Sequence, residues 1–502
     1  MIIDDFIPWY SVSPAQRLTH LMGIDPIRRQ SIISLISTIV LTGIGFLATM
    51  YFAHVLGKAA YGVYSLFLAY YGIFTLLGES GFSGAAVKRI SEGNEQDQYF
   101  SAYFILRIVL LIGSITAVLA LRPLLFELET SGMLPWLLLA LIIGAFLAIP
   151  STGVYGTGMV GVNQIAGLLN NVTKVLLQVI AVFLGFGVAG LAGGFVFGVL
   201  VGGLVCLPFL KLHFTHFHIG HLKNLFIFSF WIFLSGTGAI VFSYADTILV
   251  GYFMSAADVG VYRIAFQFTT AATFVTIAFQ TTLYPKISRW HADGFLDRIT
   301  LSLARAVTYS LLLAVPVAVG GWVLGDRLLY FFYGAGFAEG TATLAILLLM
   351  QIVNVFMYLQ TMCLNAIDRP RESFYATGTA AVVNILLDLA LIPFLGIEGA
   401  AIATLVTMLI NAGIARYYLS KQIPVCLERG PVLHILFAAG AMAIVVLAYR
   451  LAIPLSNAFL VLGAVALGVI VYGLVLLKAD AGLHNEIRDL VVQFGIPWPK
   501  WL

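Results

Sequence analysis

The stretch AYGVYSLFLAYYGIFTLLGE, residues 60–79, contains a single charged residue, Glu79, at its very end. A helix of roughly 20 apolar residues is long enough to cross the hydrocarbon core of a bilayer. Similar runs recur throughout the 502-residue chain, which is 61% hydrophobic and only 10% charged. A water-soluble domain of this size would carry far more charge on its surface. The pattern therefore predicts an all-α polytopic membrane protein.

About fourteen runs of this kind are expected to form transmembrane helices. They are 30–53, 59–79, 100–121, 133–155, 164–184, 188–210, 224–252, 259–284, 301–325, 340–366, 373–394, 397–420, 432–452 and 457–477. The connections between them are too short to fold as a separate soluble domain. An appended globular enzyme is therefore excluded within this stretch of chain.

Lysine and arginine are distributed unequally between the two sets of loops. Fourteen spans put both termini on one side, and that side receives 19 of the 26 Lys and Arg residues, against 4 on the other side and 3 inside helices. Short cytoplasmic loops are enriched in these cations. We therefore expect both termini in the cytoplasm of a multi-pass protein of the cell (plasma) membrane. The first 30 residues hold no apolar run with a cleavage site, so the first span is expected to direct insertion.

An internal repeat relates two parts of the chain. A shift of 198 residues places the sequence GVY at 62–64 on the same sequence at 260–262. A shift of about 210 gives two further matches: Lys174 with Asn384, and Gln178 with Asp388. The matched positions lie six helices apart, so the two copies have the same orientation. This is the parallel-repeat plan of transporters, with a pseudo-twofold axis along the membrane normal and a cavity between two six-helix bundles.

The repeat divides the chain into six parts. We expect a polar cytoplasmic segment at 1–29, a first bundle at 30–210, a cytoplasmic His-rich linker at 211–223, a second bundle at 224–420, two C-terminal helices at 432–477, and a cytoplasmic tail at 478–502.

Three cations lie inside predicted spans, where an ionisable group requires a partner, water or a ligand. Lys174 is the deepest, about ten residues or roughly 15 Å into its helix. Arg107 and Arg263 are the others, and no carboxylate adjacent in sequence neutralises any of the three. The functional interpretation is a cationic cavity that binds an anionic headgroup such as a diphosphate. The alternative is an ion pair between helices or a side chain that snorkels to the interface.

Two acids, Asp246 and Asp388, also lie inside predicted spans. One interpretation is a site for a coupling proton or sodium ion, with polar neighbours such as Asn384 and Thr247 completing it. The other is ion pairing with the intramembrane cations, and pairing is the simpler of the two.

Signals for metals, cofactors and catalysis are weak. Four histidines, at 213, 216, 218 and 221, lack the spacing of a tetrahedral metal site and are interpreted as part of an amphipathic linker at the headgroup level. The three cysteines show no metal or disulfide spacing. Catalytic and nucleotide-binding motifs are not found either. We therefore predict no metal, no cofactor, no nucleic-acid partner and no enzymatic activity.

Three stretches, 56–91, 245–265 and 365–407, resemble the polysaccharide biosynthesis (Wzx-like) flippases of the multidrug/oligosaccharidyl-lipid/polysaccharide exporter superfamily. They read LGKAAYGVYSLFLAYYGIFTLLGESGFSGAAVKRIS, ADTILVGYFMSAADVGVYRIA and NAIDRPRESFYATGTAAVVNILLDLALIPFLGIEGAAIATLVT, and the resemblance extends over roughly 30–420. It implies two six-helix bundles, often with two added helices. It also implies alternating access that moves a polyprenyl-diphosphate-linked oligosaccharide outward, with the anionic headgroup held in a cationic lumen.

Two competing functions remain beside the flippase. A multidrug or metabolite cation antiporter of the same superfamily would have a cavity that favours acids, whereas the deep cations here outnumber the acids by three to two. A membrane enzyme such as a glycan ligase would usually carry a large external loop, which this chain lacks. The expected partners are the lipid-linked oligosaccharide, membrane lipid, and the glycosyltransferases and polymerase of the same pathway.

Overall fold

The computed structural model describes residues 26–79, 81–485 and 488. The segment predicted at 1–29 and the tail predicted at 478–502 therefore lie mostly outside the described residues. The principal helices are α1 (Pro26–Glu79), α2 (Phe82–Ser91), α3 (Gln96–Ala120), α4 (Phe126–Thr130), α5 (Leu134–Gly156), α6 (Val160–Phe183), α7 (Gly187–Cys206), α8 (Ile219–Phe253), α9 (Ala256–Thr269), α10 (Phe274–Ala292), α11 (Leu296–Tyr333), α12 (Thr341–Ala366), α13 (Pro370–Ser420), α14 (Arg429–Ala452) and α15 (Ala458–Ala479).

The all-α polytopic architecture is confirmed. Within the described part of the chain, no residue lies in a β-strand. Ten helices there are long and apolar enough to cross a membrane. Twelve of the fourteen predicted spans fall within these ten helices, and the other two fall in α8 and in the pair α9–α10.

Two of the long helices each contain two predicted spans. The axis of α1 breaks at Gly57 (φ 78°) and that of α13 at Gly396 (φ 61°). A positive φ is strained for any residue with a side chain, so glycine is the residue suited to these sharp turns. The breaks fall in the gaps predicted between spans, at 54–58 and 395–396. We call residues 58–79 of α1 its second arm.

The eighth predicted span, 259–284, is not continuous. It divides into α9, a 3₁₀ turn (Thr270–Thr273) and α10, which extends to Ala292. The hydroxyls of Thr269, Thr270 and Thr273 each donate to a carbonyl three residues earlier, at 2.7, 2.7 and 2.8 Å. Such local bonds compete with regular helical geometry and account for the tightened turn.

Helix packing relates the elements of the two predicted bundles. Helix α1 packs with α3, α5, α6 and α7 and also with α8 and α9, whereas α12 packs with α9, α10, α11 and α13. Helices α14 and α15 pack on each other and on α11, outside the repeat. Buried residues of α11, α12, α14 and α15 share one apolar core.

The two GVY sequences of the repeat meet in space. A Cβ added to Gly62 would lie 1.6 Å from the carbonyl oxygen of Ala256 and 2.9 Å from the backbone nitrogen of Gly260. A Cβ added to Gly260 would lie 2.1 Å from the carbonyl oxygen of Lys58 and 3.2 Å from the nitrogen of Gly62. Reciprocal contact between equivalent residues is what a twofold axis produces. We call this contact between α1 and α9 the outer crossing, since Lys58 lies on the side predicted to be outside.

Candidate substrate and ion site

Asp246 of α8 and Asp388 of α13 lie together in the second copy of the repeat, close enough for their carboxyl groups to interact. Oδ2 of Asp246 accepts hydrogen bonds from the Tyr262 hydroxyl at 2.5 Å and from Thr404 Oγ1 at 2.7 Å. Asp388 is completely buried. Neither of its oxygens, nor Oδ1 of Asp246, has a hydrogen-bond donor in reach. Two helices of the bundle thus present carboxyl oxygens to each other with too few donors between them.

The two helices that carry these acids, α8 and α13, hold further buried polar groups. Four residues there are buried and carry side-chain oxygens with no bonded partner: Thr247, Asn384, Thr407 and Asn411. We call Asp246, Asp388 and these residues, with Tyr262 and Thr404, the acidic node. No ion pair to Lys or Arg involves either acid within the described part of the chain. The alternative of pairing with an intramembrane cation therefore finds no partner there.

The first copy of the repeat holds a neutral counterpart of the acidic node. Gln178, equivalent to Asp388, is buried and donates through Nε2 to the Tyr64 hydroxyl at 2.6 Å and to the Leu191 carbonyl at 2.8 Å. Tyr64 is equivalent to Tyr262, and a shift of 198 places Asp246 on Ala48. Uncharged residues can therefore fill these positions in the fold. The two carboxyl groups are a feature of the second copy.

Lys174 lies on α6, one helical turn before Gln178. Its Nζ donates to Asn171 Oδ1 at 3.0 Å, and its Cβ packs against Gly198 of α7. The side chain is half-buried. No carboxylate lies within ion-pair distance of Lys174 among the described residues. The lysine is therefore held in position while its charge is left without a counterion.

Arg263 lies on α9, directly after Tyr262 of the acidic node. One guanidinium nitrogen donates to the Ser243 carbonyl at 3.2 Å, and the guanidinium lies 5.5 Å from the ring centre of Phe266. One turn further on, Gln267 Oε1 accepts from the Tyr61 hydroxyl at 3.2 Å. No carboxylate pairs with Arg263 in the described structure.

The two cations approach the same segment of α1 from opposite bundles. Lys174 is one turn from Gln178, which bonds Tyr64, and Arg263 interacts electrostatically with Tyr61, one turn before Tyr64. Both cations therefore lie near the same segment of α1, Arg263 beside Tyr61 and Lys174 one turn from the partner of Tyr64. Their assignment to the substrate stays a prediction.

Arg107 is placed differently from the other two cations. It is 4% exposed, and its guanidinium donates to the carbonyl of Gly78 at 2.7 Å, near the end of α1. A cation at the C-terminal end of a helix stabilises the exposed carbonyls and the helix dipole. In this conformation Arg107 holds α1 and α3 together, and the expectation that it binds substrate stays a prediction.

The four cations on the side predicted to be outside are all paired. Their contacts are Lys58 with Glu339, Arg122 with Glu129, and both Arg327 and Arg450 with Asp326. Each of these four cations thus has a carboxylate partner. Lys174 and Arg263 stand apart from this pattern.

The His-rich segment is fastened to the beginning of α3. His221 Nε2 lies 3.2 Å from Glu95 Oε2, and the backbone nitrogen of His213 donates to Asp97 at 2.9 Å. In the described residues, no cluster of His, Cys, Asp and Glu suits a metal ion. The backbone is extended at His218 and α8 begins at Ile219, so the predicted helix start at 224 is wrong by five residues. The histidine capping pair at 218 and 221 provides this earlier start.

A family model described as "Polysaccharide biosynthesis protein" matches residues 27–291, which is more than half of the chain. The chain belongs to this family. A second family model, MatE, matches residues 232–390, the part that contains both acids of the acidic node, Asp246 and Asp388.

Two relatives in Haloferax volcanii match nearly the whole chain. The probable low-salt glycan biosynthesis flippase Agl15 is 25% identical over 466 residues, 92% of this chain and 97% of the relative. The probable flippase AglR is 26% identical over 468 residues, 90% of this chain and 95% of the relative.

Solved structures agree on the fold of this family member. The lipid II flippase MurJ in an inward closed conformation superposes with a TM-score of 0.75 at 19% identity, over 92% of this chain and all of that one. An inward-facing multidrug resistance MATE transporter gives a TM-score of 0.63 at 16% identity, over 76% of this chain and 95% of that one. The polytopic all-α fold is therefore shared with transporters of both kinds.

Proposed function

We propose that this protein is a flippase that moves a polyprenyl-diphosphate-linked oligosaccharide from the cytoplasmic to the outer leaflet by alternating access. The observation that carries the proposal is Lys174, an intramembrane cation that is held in position with no carboxylate partner in the described structure. Membership of the polysaccharide biosynthesis family, and relatives named as glycan flippases, support the same class of cargo.

Lys174 and Arg263 are proposed to bind the diphosphate. Each is held by neutral contacts only, Lys174 by Asn171 and Arg263 by the Ser243 carbonyl. A cation at membrane depth without a counterion is costly, and an anionic ligand between the two would remove that cost. Arginine adds bidentate contacts to phosphate oxygens, and charge-assisted hydrogen bonds are the strongest polar contacts available. The lipid tail would remain in the bilayer beside the bundles.

The acidic node is proposed to bind a coupling cation, either a proton or a sodium ion. Asp388 and Asp246 are buried with unsatisfied oxygens, and the same two helices carry buried amide and hydroxyl groups with no bonded partner. An uncompensated pair of buried carboxylates would cost several kcal/mol, which favours occupancy by a cation. Oxygen donors of this kind suit hard metal cations. The node joins α8, α9 and both parts of α13, so its occupancy bears on how the second bundle packs.

The remaining features follow from the topology. Both termini are proposed to lie in the cytoplasm of the cell membrane, as the distribution of Lys and Arg predicts. The protein acts as a transporter rather than an enzyme, and the glycosyltransferases and polymerase of the same pathway are its expected partners. A cation antiporter is the second candidate, favoured by the acidic node and by the MatE match over residues 232–390.

The test is flipping of a fluorescent polyprenyl-diphosphate oligosaccharide in proteoliposomes. Lys174→Ala and Arg263→Ala should each lower the initial rate about tenfold or more, because each removes a charge-assisted contact worth about 1.5–3 kcal/mol. Arg122→Ala is the matched control, since Arg122 is an exposed cation already paired with Glu129. It should leave the rate unchanged.

The outcomes separate the two parts of the proposal. Normal rates in both folded variants would keep the flippase and remove the headgroup site. If wild-type protein moved no lipid-linked glycan but expelled an organic cation, the antiporter would replace the flippase.

A further inference from the structure

Helix α6 has two exposed faces of opposite character. One face carries Gln164, Gly167, Asn171 and Lys174, spaced by three, four and three residues, so they lie one above another. Gln164, Gly167 and Asn171 are exposed, and Lys174 is half-buried. We call these four residues the polar face of α6. The other face is apolar and exposes Ile165, Leu169, Val172, Leu176, Ile180 and Phe183.

The side of α6 between these faces packs against α7. Added Cβ atoms at Gly194, Gly198 and Gly202 would lie within 2.8 Å of atoms of Gln178, Lys174 and Asn170. The polar and apolar faces therefore lie on either side of the α7 contact, and the exposed Leu168 lies between them on the side away from α7. An apolar exposed face is suited to lipid. Amide groups that face lipid lose their hydrogen bonds to water at a cost in free energy, so the polar face is the one that borders water.

The polar face is open at one end and covered at the other. Gln178 continues the same line of residues but is buried, because Tyr64 and the Leu191 carbonyl cover it. From Lys174 back to Gln164 the line is exposed, toward the end of α6 predicted to be cytoplasmic. The exposed part of the polar face thus ends where Tyr64 covers Gln178, and it extends from Lys174 toward the end of α6 predicted to be cytoplasmic.

The second copy of the repeat lacks this polar face. A shift of 210 places Gln164 on Phe374, Gly167 on Thr377 and Asn171 on Ala381. Phe374 is 40% exposed, so the equivalent position in α13 is an uncovered aromatic residue rather than an amide. The fold itself therefore does not require amides here, and another property of the first bundle must account for them.

We propose that Gln164 and Asn171 contact the sugar units of the glycan while Lys174 holds its diphosphate. This inference rests on the proposed flippase function and assigns its substrate an orientation, with the glycan directed along α6 toward the cytoplasm. Amides both donate and accept hydrogen bonds, as sugar hydroxyls do. Gln164 lies ten residues from Lys174, a rise of about 15 Å, so the face extends well beyond a diphosphate. Asn171 is already oriented by its bonds to the Gly167 carbonyl and to Lys174, at 3.0 Å each.

The water-facing direction is tested first, without reference to transport. The exposed Cys426 is replaced by Ser, and Cys206 and Cys363 are buried. Gln164→Cys and Asn171→Cys should then react with a membrane-impermeant maleimide added to reconstituted protein. Ile165→Cys and Val172→Cys, their neighbours on the apolar face, should react at least tenfold more slowly. Equal labelling of both faces, or labelling of the apolar face alone, would overturn the proposal.

The sugar contact is tested with two fluorescent substrates that share one polyprenyl diphosphate. One carries a single sugar and the other the complete oligosaccharide. Gln164→Leu should lower the rate for the oligosaccharide about three- to tenfold, the loss of one neutral hydrogen bond or somewhat more, and leave the single-sugar rate within twofold. Asn171→Leu also removes the contact that holds Lys174, so it should lower both rates, and the oligosaccharide rate more. Ile165→Leu and Val172→Leu are the matched controls and should change neither rate.

Each result decides one hypothesis. An equal loss for both substrates, or no loss for either, would overturn the sugar contact while the flippase function stands. If wild-type protein flips neither substrate, the flippase function fails, and the sugar contact fails with it even if the labelling pattern holds.

Discussion

Asp388 and Gln178 occupy equivalent positions in the two copies of the repeat, yet their polar atoms are satisfied to different degrees. Gln178 has a hydroxyl and a backbone carbonyl as partners, whereas both oxygens of Asp388 have none. An amide is inexpensive to bury once it is bonded, but a carboxylate without a partner costs several kcal/mol. The difference in charge therefore requires a difference in occupancy, with a cation or proton expected at Asp388 alone.

Asp388→Asn should abolish the response of the protein to the coupling cation. A ligand that binds only the folded state stabilises it by about 2.7 kcal/mol at a hundred times its dissociation constant. Wild-type protein in detergent should unfold at a higher temperature in sodium chloride than in choline chloride if the cation is sodium, or at lower pH if it is a proton. The variant should show neither shift.

The control for this experiment is Asp258→Asn. Asp258 lies in the first turn of α9 and accepts a hydrogen bond from the hydroxyl of Ser255, the residue that caps this helix. It is not part of the acidic node. Its loss should lower the unfolding temperature in all buffers by the same amount. A sodium or proton shift that persists in Asp388→Asn would contradict a cation at the acidic node.

Sequence reasoning singled out the two acids and the three cations because ionisable residues at membrane depth are rare. It did not single out Tyr262 and Thr404, since single hydroxyls are common in membrane helices. The repeated GVY sequence was the one available signal for Tyr262. The assignment of Arg107 to the substrate stays a prediction, and its bond to the Gly78 carbonyl is visible only in three dimensions.

At the scale of single elements, helix contacts depend on glycine. Gly194 and Gly198 of α7 lie so close to α6 that their added Cβ atoms would be 2.5 Å from Gln178 Cγ and 2.7 Å from Lys174 Cβ. Small residues at four-residue spacing permit this approach between membrane helices. The contact fixes the rotation of α6, and with it the directions in which its polar and apolar faces point.

Gly194→Leu should separate α6 from α7. The nearest atoms include the backbone nitrogen of Gln178, at 2.8 Å from the added Cβ, so rotation of a side chain alone does not relieve the clash. Overpacking of this kind costs about 1–3 kcal/mol. We expect a lower thermal unfolding midpoint in detergent and a lower flipping rate. Gly113→Leu in α3, where an added Cβ meets nothing within 4 Å, should lower the midpoint much less, and equal effects would contradict the packing argument.

Hydropathy predicts where the helices lie, but it predicts only some of the breaks within and between them. Gly57 and Gly396 fall in gaps between apolar runs, so the sequence places those breaks. The break between α9 and α10 lies within an apolar run and depends on threonine hydroxyls bonding back to the chain. Whether a threonine does so depends on its packing, and hydropathy contains no information about that.

At the scale of the whole molecule, the two copies of the repeat meet at the outer crossing. Two other contacts lie nearby: the ion pair of Lys58 with Glu339, and the hydrogen bonds of Gln267 with Tyr61 and Thr49. An ion pair with side chains 33% and 64% exposed contributes little, typically below about 1 kcal/mol. The backbone contact at Gly62 and Gly260 is the part that tolerates no added atom, so it limits how closely this side can close.

Gly62→Ala should therefore hold the two bundles apart on the side of the outer crossing. The added methyl group would lie 1.6 Å from a backbone carbonyl oxygen, and neither α1 nor α9 can remove it by rotating a side chain. Alternating access requires this side to close in one half of the cycle, so the flipping rate should fall at least tenfold while the protein stays folded.

Spin labels at Lys58 and Glu339, in both wild type and variant, should report a longer mean distance in the variant. Gly260→Ala should reproduce the effect, as the reciprocal contact requires, whereas Gly45→Ala in the first part of α1, where nothing lies within 4 Å, should not. Normal flipping in both crossing variants would mean that the contact is a resting arrangement and that closure during transport occurs elsewhere.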